Sequence, residues 1–268
     1  MTHPYFSKAR YPRILAHRGL ITAAGENSGV WENSAASFAA AHAAGIQYIE
    51  TDCQVTADGD VVLFHDATVE RLLGDPRPVH EVRTRELRAV FADHGGLLTV
   101  AEALASFPDV RFNIDVKSDA GTGLLGPILV DDAHRVLLTS FSDARRLAAV
   151  AAVLRAGASL RPAMSGGRRT IAAVRALSSL RLSPARVLRD IDALQIPERY
   201  GAPKVLTPAL VRAAHRHGTE VHVWTINDPA SMLRLIGAGV DGIVTDRADA
   251  AIAALRPGDP SDTPRRPL

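Results

Sequence analysis

Cysteine is nearly absent from the chain, since Cys53 is the only one among 268 residues. One thiol excludes an internal disulfide framework and a zinc cluster built from several thiolates. A chain without such crosslinks fits a reducing compartment, so we expect a cytoplasmic location.

Long apolar runs are also absent. Residues 1–12 include basic side chains, but polar and charged residues from His17 onward leave no room for the apolar core of a signal peptide. The apolar stretch at residues 147–154 ends at Arg155, well short of the roughly 20 residues that span a bilayer. We therefore expect neither export by a signal peptide nor a membrane span.

Charge of one sign is not in excess. The 31 Lys and Arg residues nearly balance the 29 Asp and Glu residues, and the arginines are dispersed among acids. This distribution excludes the basic stripe of a typical nucleic-acid-binding protein and favours a small-molecule ligand. With 47% hydrophobic residues the chain can fold around a sizeable core. The sequence does not indicate the oligomeric state.

What is present is an alternation of short β-rich runs with alanine- and leucine-rich stretches of helical period, which is typical of βα units around a parallel sheet. Strands are predicted at residues 13–17, 48–55, 61–65, 111–117, 136–141, 159–164, 193–196, 204–206, 221–226 and 242–245. Helices are predicted at residues 34–44, 100–106, 143–154, 168–178, 208–217, 229–236 and 248–255. A hairpin through Asp58-Gly59 would account for strands beyond eight. We therefore predict an α/β fold, a (β/α)8 TIM-like barrel.

The domain organisation predicted from these patterns is simple. A single barrel domain occupies residues 13–256, after an N-terminal extension at residues 1–12. Residues 257–268 are rich in proline and charge and have no apolar period, so a disordered tail is expected there.

Two carboxylates, Glu50 and Asp52, stand two residues apart in a predicted strand, which places both on one face. Barrel pockets lie at the carboxyl ends of the strands, where such groups converge. Paired carboxylates suit one divalent cation, Mg2+ or Ca2+, with Mn2+ also compatible. The alternative is that one carboxylate is solvated or pairs with an arginine.

The strand at residues 111–117 places Asn113, Asp115 and Lys117 on one face. Asp115 can supply a third carboxylate, while Lys117 and Arg18 can bind a phosphate group. An Asp and a Lys in one strand can instead form a structural ion pair, and that alternative stays open.

His17 and His65 each follow an apolar strand and are the natural pair for proton transfer, because imidazole titrates near neutrality. Taken singly, each could equally be a buried histidine with a structural role. Trp224 is predicted to face inward near the barrel mouth, either walling the pocket or packing in the core. Thr245-Asp246 closes the last strand, and capping of the following helix is enough to account for it.

Taken in order, these motifs resemble the glycerophosphodiester phosphodiesterase family over nearly the whole chain. The matching pieces are His17-Arg18-Gly19, Glu32-Asn33-Ser34, Glu50-Thr51-Asp52, Phe64-His65-Asp66, Leu98-Thr99-Val100-Ala101-Glu102-Ala103-Leu104, Asn113-Ile114-Asp115-Val116-Lys117, Ser140-Phe141, Val223-Trp224-Thr225-Ile226-Asn227 and Gly242-Ile243-Val244-Thr245-Asp246.

The resemblance implies a barrel with a small insertion after the second strand, at about residues 66–97. It also implies hydrolysis of glycerophosphodiesters to sn-glycerol 3-phosphate and an alcohol. By the same analogy, the general acid and base are His17 and His65, and the phosphate is bound by Arg18 and Lys117. The metal ligands would be Glu50, Asp52 and Asp115. The substrate pocket would be lined by Glu32 and Trp224.

Two features depart from the family pattern. Asp115 replaces the glutamate usual in its motif and is one methylene shorter, and the glycines of residues 118–134 predict a loop where a long helix is usual.

Two rival functions also remain: a related barrel phospholipase or lyase acting on lipid phosphodiesters, and a non-catalytic barrel that binds a phosphate ligand.

Overall fold

In the computed structural model, which describes residues 2–256, nine strands alternate with helices. The strands are β1 (Arg13–His17), β2 (Tyr48–Val55), β3 (Val61–Leu63), β4 (Arg111–Val116), β5 (Val136–Thr139), β6 (Ala163–Met164), β7 (Ala193–Ile196), β8 (Glu220–Val223) and β9 (Gly242–Thr245). The helices are α1 (Ala23–Asn27), α2 (Ala35–Ala43), α3 (Glu70–Leu73), α4 (Thr84–Phe91), α5 (Val100–Ser106), α6 (Gly121–Leu129), α7 (Asp143–Arg155), α8 (Arg168–Ser179), α9 (Ala185–Leu188), α10 (Pro208–Arg216), α11 (Pro229–Gly237) and α12 (Ala248–Leu255). Short 3-10 turns lie at Pro4–Phe6, Val79–Glu81, Ala92–His94 and Ala133–Arg135.

Eight of the strands form a parallel ring in the order β6-β5-β4-β2-β1-β9-β8-β7. The two ends of this order meet through a parallel bridge between Ser165 and Ala193, which nearly closes the barrel. β3 stands outside the ring and pairs antiparallel with β2. This confirms both the predicted (β/α)8 fold and the hairpin, whose turn contains Gly59 at a φ of +87° that favours glycine.

Side chains alternate between the two faces of each strand, as the period of a strand requires. Ile14, Ile49 and Ile114 point outward into the large core between the strands and the helices. Leu15 and Tyr48 point into the barrel and belong to a separate inner cluster. The inward positions nearer the carboxyl ends of β1, β2 and β4 are polar, which leaves the mouth of the barrel for chemistry.

The N-terminal extension fills the opposite, amino-terminal end of the barrel. Tyr5 and Phe6 are buried and pack with Leu15 and Tyr48 in the inner cluster. Below them Arg13 forms a buried ion pair of 3.1 Å with Glu220, and its guanidinium also donates to the backbone carbonyl oxygens of Phe6, Ala9 and Arg10. The extension is therefore an integral part of the folded barrel.

Two predicted strands are absent or much shorter in the structure, and the predicted strands at residues 61–65, 136–141 and 221–226 end two or three residues earlier than predicted. Lys204 makes only an isolated antiparallel bridge to Arg199, so residues 204–206 are not a strand; the ring already has its eight members and this segment lies in the loop after β7. The run at residues 159–164 is reduced to Ala163–Met164, because Pro162 has no backbone N–H to donate to a neighbouring strand.

The predicted loop at residues 118–134 is also wrong, because most of this segment forms α6. One of its glycines, Gly126, serves close packing instead of loop geometry. A Cβ atom on Gly126 would lie 2.8 Å from the backbone oxygen of Ala152 in α7, so only glycine allows the two helices to approach this closely.

The segment predicted as an insertion, residues 66–97, carries α3 and α4 and has a small core of its own. Val69, Val79, Leu87 and Phe91 pack there beneath the partly buried Trp31. Within residues 2–256 every helix is too short or too polar to cross a membrane. The predicted tail at residues 257–268 lies outside the described residues.

The Arg13–Glu220 pair predicts a measurable pH dependence of stability. Burial would raise the pKa of Glu220, but the hydrogen bond and charge of His222 and the charge of Arg13 outweigh burial and lower it from 4.5 to about 2. A depressed folded-state pKa stabilises the protein above about pH 4.5, and that contribution is lost as the pH falls towards 2. Glu220→Gln removes this stabilising contribution and leaves Arg13 buried without the charge of Glu220. We therefore expect the free energy of unfolding to fall by about 3 kcal/mol at pH 7.

Urea unfolding of both proteins between pH 7 and pH 3 measures this effect. The difference in unfolding free energy between wild type and Glu220→Gln should shrink as the pH falls. Glu198→Gln, which breaks an exposed pair with Arg234, is the matched control and should cost less than about 1 kcal/mol. A gap between wild type and Glu220→Gln that stays constant down to pH 3 would contradict the assignment.

Candidate active site

The mouth of the barrel opens into a cavity of about 520 Å3. Eight of the nine side chains predicted for the site line it: His17, Arg18, Glu50, Asp52, His65, Asp115, Lys117 and Trp224. The exception is Glu32, which lies behind Arg18 and accepts a 2.9 Å hydrogen bond from its guanidinium. The strand ends thus bring together residues from distant parts of the sequence.

Strand register sets the layout of the acids. His17 of β1 is in register with Glu50 of β2, and Asp52 of β2 is in register with Asp115 of β4. Adjacent parallel strands lie roughly 4.8 Å apart, so residues in register on the inward face are immediate neighbours. The three carboxylates and His17 therefore occupy one continuous part of the cavity wall. The three carboxylates, Glu50, Asp52 and Asp115, are called the acid patch below.

His17 is held by a carboxylate that arrives from the last strand. Its Nδ1 lies 2.6 Å from Oδ1 of Asp246, whose other oxygen accepts a 2.7 Å hydrogen bond from the amide of Asn227. Burial lowers the pKa of His17, but Asp246 and Glu50 outweigh burial and raise it. With Nδ1 engaged, Nε2 is the ring atom available to the cavity, and it lies 3.8 Å from Oε2 of Glu50.

His65 has the same kind of support on the other side. Its Nδ1 lies 2.7 Å from Oδ1 of the adjacent Asp66, and Asp66 accepts a 2.6 Å hydrogen bond at Oδ2 from Arg71 of α3. Each imidazole therefore has a carboxylate hydrogen-bonded at Nδ1, which leaves Nε2 as the nitrogen that can exchange a proton. This is the arrangement of a histidine that exchanges protons with a ligand.

The two cations of the site lie against the acids. Lys117 Nζ lies 2.7 Å from Asp115 Oδ2 and 2.9 Å from Asp52 Oδ1, while Arg18 Nε lies 3.1 Å from Asp52 Oδ2. The ion-pair alternatives considered for these residues are thus present in the structure. Although burial opposes it, the charges of Asp52 and Asp115 raise the pKa of Lys117, which therefore stays protonated.

Two carboxylate oxygens in this patch are buried and have no hydrogen-bond partner, Oε2 of Glu50 and Oδ1 of Asp115. Burial, with the charge of Asp52 next, raises the pKa of Glu50 to about 8. Burial likewise raises the pKa of Asp115, although Lys117 opposes the shift. Burial therefore disfavours the ionised form of these two carboxyl groups, and a positive charge placed beside them would favour it.

The predicted metal ligands fit a divalent cation in their chemistry. Glu50, Asp52 and Asp115 offer only carboxylate oxygens, the donors that Mg2+ and Ca2+ prefer, and two of those oxygens are unpaired. Among residues 2–256, however, no group of three or more His, Cys, Asp or Glu side chains is arranged to hold an ion. Lys117 lies between Asp52 and Asp115, so ligand type supports the metal site and the arrangement does not.

Trp224 stands on the far wall of the cavity, where its ring meets Phe141 edge to face at a centroid distance of 6.2 Å. His222, two residues earlier in the chain, is fully buried deeper in the barrel and lies 3.1 Å from Glu220. It belongs to the buried network around Arg13 and not to the site.

Sequence reasoning missed Asp246 and Asp66 as partners of the histidines. From the sequence pattern alone, Asp246 is predicted only to cap the following helix. Its place follows from the barrel itself, since β9 pairs with β1 and Thr245 is in register with Ala16, which sets Asp246 beside His17. Asp66 had a simpler signal, its position immediately after His65.

Comparison with known proteins agrees with the geometry. The model of the glycerophosphoryl diester phosphodiesterase family matches residues 17–250. The chain is 38% identical over 223 residues to a Mycobacterium tuberculosis protein named "Probable glycerophosphodiester phosphodiesterase 2", covering 81% of this chain and 82% of that protein.

Two solved structures share the fold. A glycerophosphodiester phosphodiesterase from Thermotoga maritima has a TM-score of 0.68 at 22% identity, covering 91% of this chain and 97% of the other. An Oleispira antarctica phosphodiesterase in complex with the product sn-glycerol-3-phosphate has a TM-score of 0.69 at 20% identity, with the same coverage. At these identities the likeness bears on the fold alone. Since the family match spans nearly the whole chain, the resemblance seen in the motifs is confirmed, and the chain belongs to the glycerophosphoryl diester phosphodiesterase family.

Proposed function

We propose that the protein hydrolyses glycerophosphodiesters to sn-glycerol 3-phosphate and an alcohol, with a divalent cation bound and with His17 and His65 as general acid and base. Family membership and the relative from Mycobacterium tuberculosis support the reaction class. The product is the one bound in the Oleispira antarctica structure. A cytoplasmic location stays a prediction from the sequence.

The observation that best supports this chemistry is that both histidines are held in the same way, by an aspartate at Nδ1. Each has its Nδ1 within 2.7 Å of an aspartate oxygen, and both line the cavity that also contains Arg18 and Lys117. A phosphodiester needs one proton removed from the attacking oxygen and one given to the departing oxygen. Two oriented imidazoles meet both needs.

The residues act on the substrate in distinct ways. Arg18 binds the phosphoryl oxygens through its planar fork, and Lys117 binds them as a point charge. One histidine accepts a proton from water or from the neighbouring glycerol hydroxyl as that oxygen bonds to phosphorus. The other protonates the alkoxide as its bond to phosphorus breaks. Attack by the glycerol hydroxyl gives a cyclic phosphate first, which water then opens.

Glu50, Asp52 and Asp115 would hold the cation, Mg2+, Ca2+ or Mn2+. When bound, such an ion draws negative charge off the phosphoryl oxygens. Lys117 has to release at least one of its two carboxylates for them to become ligands, and a phosphate in the cavity offers it another partner.

A panel of deacylated phospholipid head groups, assayed for glycerol 3-phosphate with and without EDTA, tests the reaction and the metal together. We expect release from the panel, its loss with EDTA, and its return when Mg2+, Ca2+ or Mn2+ is added, because the unpaired oxygens of the acid patch need a cation. Cleavage of intact lipids alone would support the phospholipase alternative. Binding of the panel without turnover would support a non-catalytic barrel.

Loss of either imidazole should remove proton transfer and leave the acids intact. For His17→Ala and for His65→Ala we expect kcat to fall by about 10²–10⁴, the usual contribution of general acid-base catalysis. Calorimetric titration with the metal ion should still show binding in both variants. A rate close to wild type in either variant would remove that histidine from its assigned role.

Asp246 is a positioning residue, since it reaches the substrate only through His17. Asp246→Asn should keep the ring in place less well and lower kcat by about tenfold to a hundredfold, part of the acid-base contribution, with little change in KM. Asp249→Asn is the matched control, because Asp249, in the first turn of α12, forms an ion pair with the exposed Arg247 and does not line the cavity. An effect on KM alone, or an equal effect of both variants, would contradict the positioning role.

A further inference from the structure

Three basic side chains line the side of the cavity that faces away from the acid patch. Arg168 begins α8, Arg175 lies two turns further along that helix, and Lys204 belongs to the loop between β7 and α10. β6 and β7, which lead into these segments, lie across the ring from β1 and β2. These three residues are called the basic wall below.

The basic wall has no acid of its own. The acids that line the cavity are Glu50, Asp52 and Asp115, all on β2 and β4. Glu198, at the end of β7, instead binds Arg234 with both carboxylate oxygens, at 3.0 and 2.9 Å. Within residues 2–256, none of the three basic side chains forms an ion pair with a carboxylate. The guanidinium of Arg175 donates hydrogen bonds to the Lys204 carbonyl oxygen and to the Ser179 hydroxyl, which are uncharged acceptors. The positive charge that this wall brings to the cavity is therefore not cancelled by a carboxylate, and Arg168 and Lys204 are the members whose side chains are least engaged.

The aromatic rings beside the basic wall are already engaged by the protein's own cations. The guanidinium of Arg168 lies 4.7 Å from the ring centroid of Phe141 and 6.0 Å from that of Tyr200. Lys117 Nζ lies 5.8 Å from the Phe141 ring. Open aromatic faces commonly bind quaternary ammonium groups such as choline. Here those faces serve to fix Arg168, and a second cation would meet positive charge.

From this arrangement we propose that the protein prefers glycerophosphodiesters whose alcohol carries a negative charge, a phosphate or a carboxylate, over those that carry choline. The proposal rests on the proposed function and names its substrate class. Arg18 and Lys117 hold the scissile phosphodiester at the acid patch, while the basic wall holds a second anion on the departing alcohol. The guanidinium of Arg168 suits either anion, because its fork binds phosphate and carboxylate oxygens in pairs.

The test compares kcat/KM for four substrates that share the glycerophosphoryl part. Their alcohols are glycerol 3-phosphate, glycerate, glycerol and choline, which carry a phosphate, a carboxylate, no charge and a positive charge. We expect one or both anionic substrates to exceed the glycerol substrate by about tenfold, and choline to be the poorest. The advantage should shrink as salt rises from 0.05 to about 0.5 M, since the basic wall is largely exposed and screened.

Variants locate the effect. Arg168→Gln and Lys204→Gln should each reduce the ratio of anionic to neutral kcat/KM several-fold, and Arg168→Glu should raise choline relative to the anions. Arg169→Gln is the matched control, because Arg169 is the exposed neighbour in the same helix and does not line the cavity. It should leave all four rates unchanged. Thermal unfolding checks that each variant is folded.

The outcomes separate this proposal from the function on which it rests. Turnover of the glycerol substrate with choline equal to the anions, or an unchanged ratio in both Arg168→Gln and Lys204→Gln, overturns the preference and leaves the proposed function standing. A strong gain from an acyl chain on the glycerol, with no gain from the anion, also overturns it, in favour of apolar recognition. No turnover of any substrate overturns the proposed function and the preference together.

Discussion

Parallel pairing of the first strand, β1, with the last strand, β9, is the constraint on which the candidate site depends. Arg13 to Ala16 of β1 are in register with Gly242 to Thr245 of β9, so the first and last strands end side by side. That pairing brings Asp246 to Nδ1 of His17 across 229 positions of sequence. Without the pairing of β1 with β9, His17 would have Glu50 on one side and water on the other.

The acid patch is the second consequence of the ring, and it is costly to fold. Asp52 and Asp115 are opposite each other in register, and both are almost completely buried. Buried carboxylates are tolerated only when positive charge or protonation compensates them. Lys117 and Arg18 supply that charge to Asp52 and Asp115, whereas burial, with the charge of Asp52 next, raises the pKa of Glu50 and so favours its protonated form.

The sequence predicted the parts of this molecule that follow from local pattern. The period of two along β2 and β4 was enough to put Glu50, Asp52, Asp115 and Lys117 on one face, and all four line the cavity. It could not show that Lys117 would lie between Asp52 and Asp115, because side-chain pairing depends on the register between strands. The helix α6 was missed for a similar reason: Gly126 reads locally as a loop residue, and only its contact with α7 explains it.

The insertion shows why a site can depend on residues outside the ring. Arg71 of α3 donates at 2.6 Å to Asp66 and at 2.5 Å to Glu32. Asp66 in turn holds His65, and Glu32 holds Arg18. One guanidinium thus supports a proposed proton-transfer group and a proposed phosphate-binding group through their carboxylate partners. Since α3 packs on its own small core and not on the barrel core, the order of that core reaches the cavity through Arg71. The ring fixes His17, and the insertion fixes His65.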